Sequence, residues 1–222
     1  MKKPFGLAIA AGWLALTLVS PSNAATGYEA YYDLLDNTPW YDGVTASIQY
    51  QATAVDGEDL AVWIGLDNYA EEDADLKWIQ GGWGQQHTGQ PLIYWEYIGA
   101  DGTYHIGEDV TPGDDEVYTQ KHQGNQALWT HNGIIYKQVD WITFNGVAFS
   151  KGQYGAEMQP DTDRTPGTVA SKNRFSSTQV RQAGGVFTPA PLAGVVSNAP
   201  NGNIEKVEAV PGSDFQTWDT RN

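Results

Sequence analysis

Three runs decide the reading of this chain: Leu60-Ala61-Val62-Trp63-Ile64-Gly65-Leu66-Asp67, Leu76-Lys77-Trp78-Ile79-Gln80-Gly81-Gly82-Trp83 and Leu92-Ile93-Tyr94-Trp95-Glu96-Tyr97-Ile98. Each is short, apolar and aromatic, as a strand is. Side chains alternate between the two faces of a strand. Val62, Ile64 and Leu66 therefore share one face, and Trp63 and Asp67 share the other. Gln80 falls on the face of Trp78, and Glu96 on the face of Tyr94. An amide and two carboxylates on an aromatic-lined sheet face point to a cleft that binds a ligand.

The pattern extends along the chain. Short runs rich in Val, Ile, Thr, Trp and Tyr alternate with Gly, Asn, Asp and Pro, and no segment carries a helical period. The expected class is all-β, an antiparallel sandwich of two bent sheets of the concanavalin or jelly-roll type. Strands are expected near 27–35, 44–53, 60–67, 76–83, 92–98, 103–107, 115–122, 126–130, 134–150, 153–158, 179–187 and 203–210. Asn132-Gly133 is the strongest hairpin signal and Asp101-Gly102 a second. Thr111-Pro112-Gly113-Asp114 reads as a turn, and Pro160 to Ser177 and Thr188 to Asn203 read as loops.

The N-terminus has the form of an export signal. Lys2 and Lys3 precede an apolar stretch from Phe5 to Val19, and Ser22-Asn23-Ala24 is a small-x-small cleavage site. Cleavage is expected after Ala24 or Ala25. Removing the first 24 of 222 residues leaves 198, read as a single domain over residues 25–222. Without Lys2 and Lys3, 10 of the 12 basic residues remain against 27 acidic ones, a net charge of about −17. Such a chain repels nucleic acid and anionic membranes, and it suits acid surroundings, where protonation relieves self-repulsion. A soluble monomer outside the cytoplasm, in a periplasm or beyond the cell, is expected.

Several chemistries fall away. With no cysteine, disulfides, thiol catalysis and cysteine metal sites are excluded. His87, His105, His122 and His131 have no metal-ligand spacing, and the chain lacks Gly-x-Ser-x-Gly. Neither a cofactor nor a metal is expected. The acidic runs Glu71-Glu72-Asp73-Ala74-Asp75 and Asp114-Asp115-Glu116 read as solvated turns, and Gly81-Gly82-Trp83-Gly84 as a bend in the sheet. Gln80 stands out, because a glutamine inside an aromatic strand must find hydrogen-bond partners.

Four blocks in order resemble the glutamic peptidases, or eqolisins. Tyr41-Asp42-Gly43-Val44-Thr45-Ala46-Ser47 resembles the strand before the family's Trp-Val-Gly-Ile-Asp-Gly motif. Trp63-Ile64-Gly65-Leu66-Asp67-Asn68 resembles that motif, and Trp78-Ile79-Gln80-Gly81-Gly82 the block Ile-Leu-Gln-Thr-Gly with its catalytic Gln. Tyr94-Trp95-Glu96-Tyr97-Ile98 resembles Trp-Tyr-Glu-Trp-Tyr, and Ala156-Glu157 the Ala-Glu that carries the catalytic glutamate. The resemblance implies an exported, acid-active endopeptidase acting on polypeptides, with Gln80 and Glu157 catalytic. It implies that Trp63, Asp67, Trp78, Tyr94 and Glu96 line the substrate cleft. The chain departs from the family in lacking cysteines and in following Glu157 with Met158-Gln159-Pro160, where the proline is expected to end the strand.

Two other classes fit the residues. A jelly-roll glycoside hydrolase would use paired carboxyl groups about 5 Å apart, with Glu96 and Glu157 as candidates, and a sugar-binding module would use the aromatics alone. A non-catalytic exported binding protein is the third.

Overall fold

The computed structural model describes residues 28–33, 41–51, 59–68, 77–85, 90–108, 110–144, 149, 151–159, 164–190, 194–197, 204–210 and 214–221. The expected export signal lies outside these residues. Alternating sequence becomes β1 Tyr28–Asp33, β2 Tyr41–Gln49, β3 Asp59–Asp67, β4 Trp78–Gln85, β5 Leu92–Ile98 and β6 Tyr104–Glu108. It continues as β7 Asp115–Gln123, β8 Gln126–His131, β9 Ile134–Asp140, β10 Lys151–Gln159 and β11 Asn173–Gln182. The last are β12 Phe187–Pro189, β13 Gly194–Ser197, β14 Ile204–Val210 and β15 Asp214–Asp219. No helix among the described residues is long and apolar enough to cross a membrane.

The strands form two antiparallel sheets and no closed barrel. The first runs β13-β1-β10-β3-β4-β5-β6, and the second β14-β15-β11-β2-β7-β8-β9 with β12 beside β11. The chain is therefore an all-β sandwich. Its core lies between the sheets. Leu60, Val62, Ile64, Leu66, Ile79, Trp83 and Ile93 enter from the first sheet, and Val44, Ala46, Ile48, Trp129, Phe175 and Phe215 from the second. Two-residue period thus sorts each central strand into a core set and an opposite set.

The turns follow residue chemistry. Asn132 and Gly133 both take positive φ (48° and 78°), the requirement of a tight I′ hairpin, and close β8 onto β9. Gly124, at φ 62°, opens the two-residue link from β7 to β8. Between β5 and β6, Asp101 Oδ1 accepts from the Thr103 amide at 2.9 Å while Gly102 takes φ 69°.

Several expected boundaries are corrected. Residues 173–177, expected within a loop, begin β11, and the expected strand 179–187 breaks at a turn around Gly184 (φ 73°) before β12. The expected strand 134–150 stops at Asp140, where a 3-10 turn, Trp141–Phe144, drives the Phe144 ring into the core. Residues 188–203 contain β13 and the end of β12, and β15 was not foreseen. The glycines of β4 do not interrupt it, since its register with β3 and β5 runs unbroken from Trp78 to Gly84.

Gly82 explains why. A Cβ there would overlap the Val62 carbonyl oxygen and lie 2.8 Å from the Trp63 Cα. Gly82→Ala is expected to cost about 3 kcal/mol, read as a lower denaturation midpoint at unchanged m-value.

Candidate active site

The face of the first sheet turned away from the core carries every candidate residue. Cross-strand partners share a face, so the register gives rows. One row reads Ile106, Glu96, Gln80, Gly65, Gln153 across β6, β5, β4, β3 and β10. The next reads Tyr104, Ile98, Trp78, Asp67, Lys151, and on the other side lie Glu108, Tyr94, Gly82, Trp63, Gly155. A fourth carries Leu92, Gly84, Ala61 and Glu157. Gln80, Glu157, Trp63, Asp67, Trp78, Tyr94 and Glu96 are all buried, none more than 3% exposed.

The polar groups interlock. Gln80 Nε2 donates to the Tyr94 hydroxyl at 3.0 Å. The Tyr104 hydroxyl donates to Glu96 Oε2 at 2.5 Å. Burial raises the Tyr94 phenol pKa far above the ordinary range, and the charges of Glu96 and Glu157 add to it. The Tyr104 phenol is raised by burial, then by Glu96 and by Glu157. Glu157 on β10 thus acts on a hydroxyl of β6, four strands away along the sheet. Burial pushes the Glu96 carboxyl up to about 8, against the opposing pull of the Tyr104 hydrogen bond.

The second sheet buttresses this face from behind. Trp129 Nε1 donates to the Gln80 carbonyl at 2.8 Å, Gln120 Nε2 to the Gly81 carbonyl at 3.3 Å, and the Tyr136 hydroxyl to the Tyr94 carbonyl at 3.0 Å. Gly81 leaves the room for this, as a Cβ would lie 2.8 Å from the Tyr136 oxygen and 2.9 Å from Gln120 Nε2. Trp129→Phe removes one of these donors and leaves a void. It is expected to lower stability by about 2–4 kcal/mol, measured by urea unfolding.

Three residues of this face were not foreseen. Gln153 is buried in the row of Gln80, Tyr104 holds Glu96, and Lys151 stands opposite Asp67. Gln153 sits four residues before Glu157, so strand alternation alone puts it on that face. Tyr104 required the register of the β5–β6 hairpin. No three His, Asp or Glu side chains gather to hold a metal among the described residues.

No protein-family model matches the chain, and no curated protein matches it in sequence. Among solved structures, scytalido-glutamic peptidase with a transition state analog inhibitor aligns with a TM-score of 0.59 at 12% identity, over 87% of this chain and 98% of that one. The same peptidase with a peptide based transition state analog aligns at 0.57 and 11%, with the same coverage. A glycoside hydrolase family 16 endo-glucanase from Bacteroides ovatus aligns at only 0.42 and 10%, over 60% of this chain and 65% of that one, too slight to carry an argument. The fold is therefore that of the scytalido-glutamic peptidase structures.

Proposed function

We propose that the protein is an exported, acid-active endopeptidase of the glutamic type that works as a monomer on polypeptides. The observation that carries this reading is the buried face on which Gln80, Glu157 and Glu96 share the neighbourhood of the Tyr94 hydroxyl, within a fold like that of scytalido-glutamic peptidase.

In this reading Glu157 takes a proton from a water molecule, which attacks the scissile carbonyl. Glu157 then returns the proton to the leaving amine. The Gln80 amide leaves Tyr94, orients the water and donates to the developing oxyanion. An amide does not titrate in acid, so this donor persists at low pH. Trp63, Asp67, Trp78, Tyr94 and Glu96 form the walls that hold the peptide. No covalent intermediate and no cofactor is involved.

The test is digestion of a denatured protein from about pH 2 to 7 by the wild type, Gln80→Ala and Glu157→Ala. Acid cleavage that both substitutions abolish supports the reading. A folded wild type that cleaves nothing overturns it. Sugar release from a polysaccharide, abolished by Glu96→Ala and Glu157→Ala, would instead assign the two carboxyl groups to glycoside hydrolysis.

A further inference from the structure

The two oxygens of Glu96 are in different situations. Oε2 is held by Tyr104, whereas Oε1 is buried with no hydrogen-bond partner among the described residues. Glu96 stands directly opposite Gln80 on the neighbouring strand, so their Cβ atoms are about 5 Å apart and the two side chains serve one volume. Trp78 Nε1, on the same face two residues before Gln80, is also buried with no hydrogen-bond partner among the described residues. A buried polar group left unpaired carries a desolvation cost, and such groups cluster where a ligand completes them.

We propose that Glu96 is a further catalytic residue, an un-ionised acid that donates a hydrogen bond from Oε1 to the carbonyl oxygen of the bound peptide beside the Gln80 amide. This rests on the peptidase reading. A charged Glu96 would repel the developing oxyanion. A neutral one stabilises it, as a carboxylic acid kept protonated by an apolar site does. Burial holds the proton on Glu96 through acid and neutral pH. By register, the titratable groups on the same face are Tyr104 and Glu108 on β6, Tyr94 on β5, Asp59 and Asp67 on β3, Lys151 and Glu157 on β10, and Glu29, Tyr31 and Asp33 on β1. Tyr104 alone among them is shown bonded to the carboxyl, and by holding Oε2 it leaves Oε1 to carry the proton.

The experiment compares the purified wild type with Glu96→Gln, which keeps a neutral donor, and Glu96→Met, which keeps the bulk and loses the donor. For a peptide substrate at acid pH, Glu96→Met is expected to lose about 100-fold in kcat with little change in KM, and Glu96→Gln less than about tenfold. Infrared spectra near neutral pH are expected to show a protonated-carboxyl band in the wild type that Glu96→Gln lacks, whatever the turnover. An active wild type dependent on Gln80 and Glu157, with Glu96→Met within threefold of it, overturns the proposal alone. So does the absence of that band. A wild type that is inactive, or indifferent to Gln80 and Glu157, fails the peptidase reading and takes the donor role with it.

Discussion

Glu157→Gln is expected to lower kcat/KM towards an unfolded protein at about pH 4 by roughly 10³-fold, within the range general-base removal produces. The isosteric amide keeps the volume of a side chain only 1% exposed, so the circular dichroism spectrum should be unchanged. Gln80→Ala should lose about 10²–10³-fold, the worth of one oxyanion donor. Because the two act on one transition state, the double variant should fall little below Glu157→Gln. The measurement is initial-rate proteolysis with each variant at matched folded concentration. Full activity in Glu157→Gln would move the base to another carboxylate of the same face.

The second large effect concerns stability and pH. The Glu96 carboxyl is raised from an ordinary 4.5 to about 8 by burial. Between these values the folded chain holds a proton that the unfolded chain has released. Stability therefore falls as pH rises through that window and levels off above it. Over about 3.5 pH units the loss is on the order of 5 kcal/mol, which for a chain of this size lowers Tm by about 10–20 °C. Glu108, also raised by burial, acts in the same direction. Glu96→Gln cannot release a proton, so its melting temperature should change much less between about pH 4 and 8 and exceed the wild-type value at the alkaline end. Parallel melting curves for the two proteins across that range would refute this.

What the sequence made legible is what strict alternation encodes. Val62, Ile64 and Leu66 against Trp63 and Asp67 fixed both the core face and the opposite face of β3, and Gln80 and Glu96 fell where alternation put them. The first half of β11 escaped because the strand's alternation is interrupted. Asn173 and Phe175 are buried, then Thr178 and Val180, and the register shifts between Ser176 and Gln179 where Ser177 takes φ 53°. A bulge inserts one residue and resets the period, so no uniform pattern spans it. β15 escaped for another reason: its inward residues are Phe215, Thr217 and Asp219, and two polar side chains on the buried face disguise a strand. Asp219 is satisfied there by Arg221 and by the Thr165 amide, partners that only the folded chain supplies. The buttressing contacts of Trp129, Gln120 and Tyr136 were likewise invisible, since they join residues 39 to 49 positions apart.

The rows across β3, β4 and β5 impose an arithmetic on change in this chain. Odd positions of β3 lie on the face that carries Gln80 and Glu157 and even positions face the core, while in β4 and β5 the assignment is reversed. Deleting a single residue at the start of such a strand exchanges the two sets, turning Val62 and Ile64 outward and forcing Asp67 between the sheets. Deleting two slides the outward residues by one row and leaves both surfaces chemically intact. The outward face can therefore be reshaped only in even steps, and that parity is a more severe constraint on its descent and its redesign than the identity of any one residue on it.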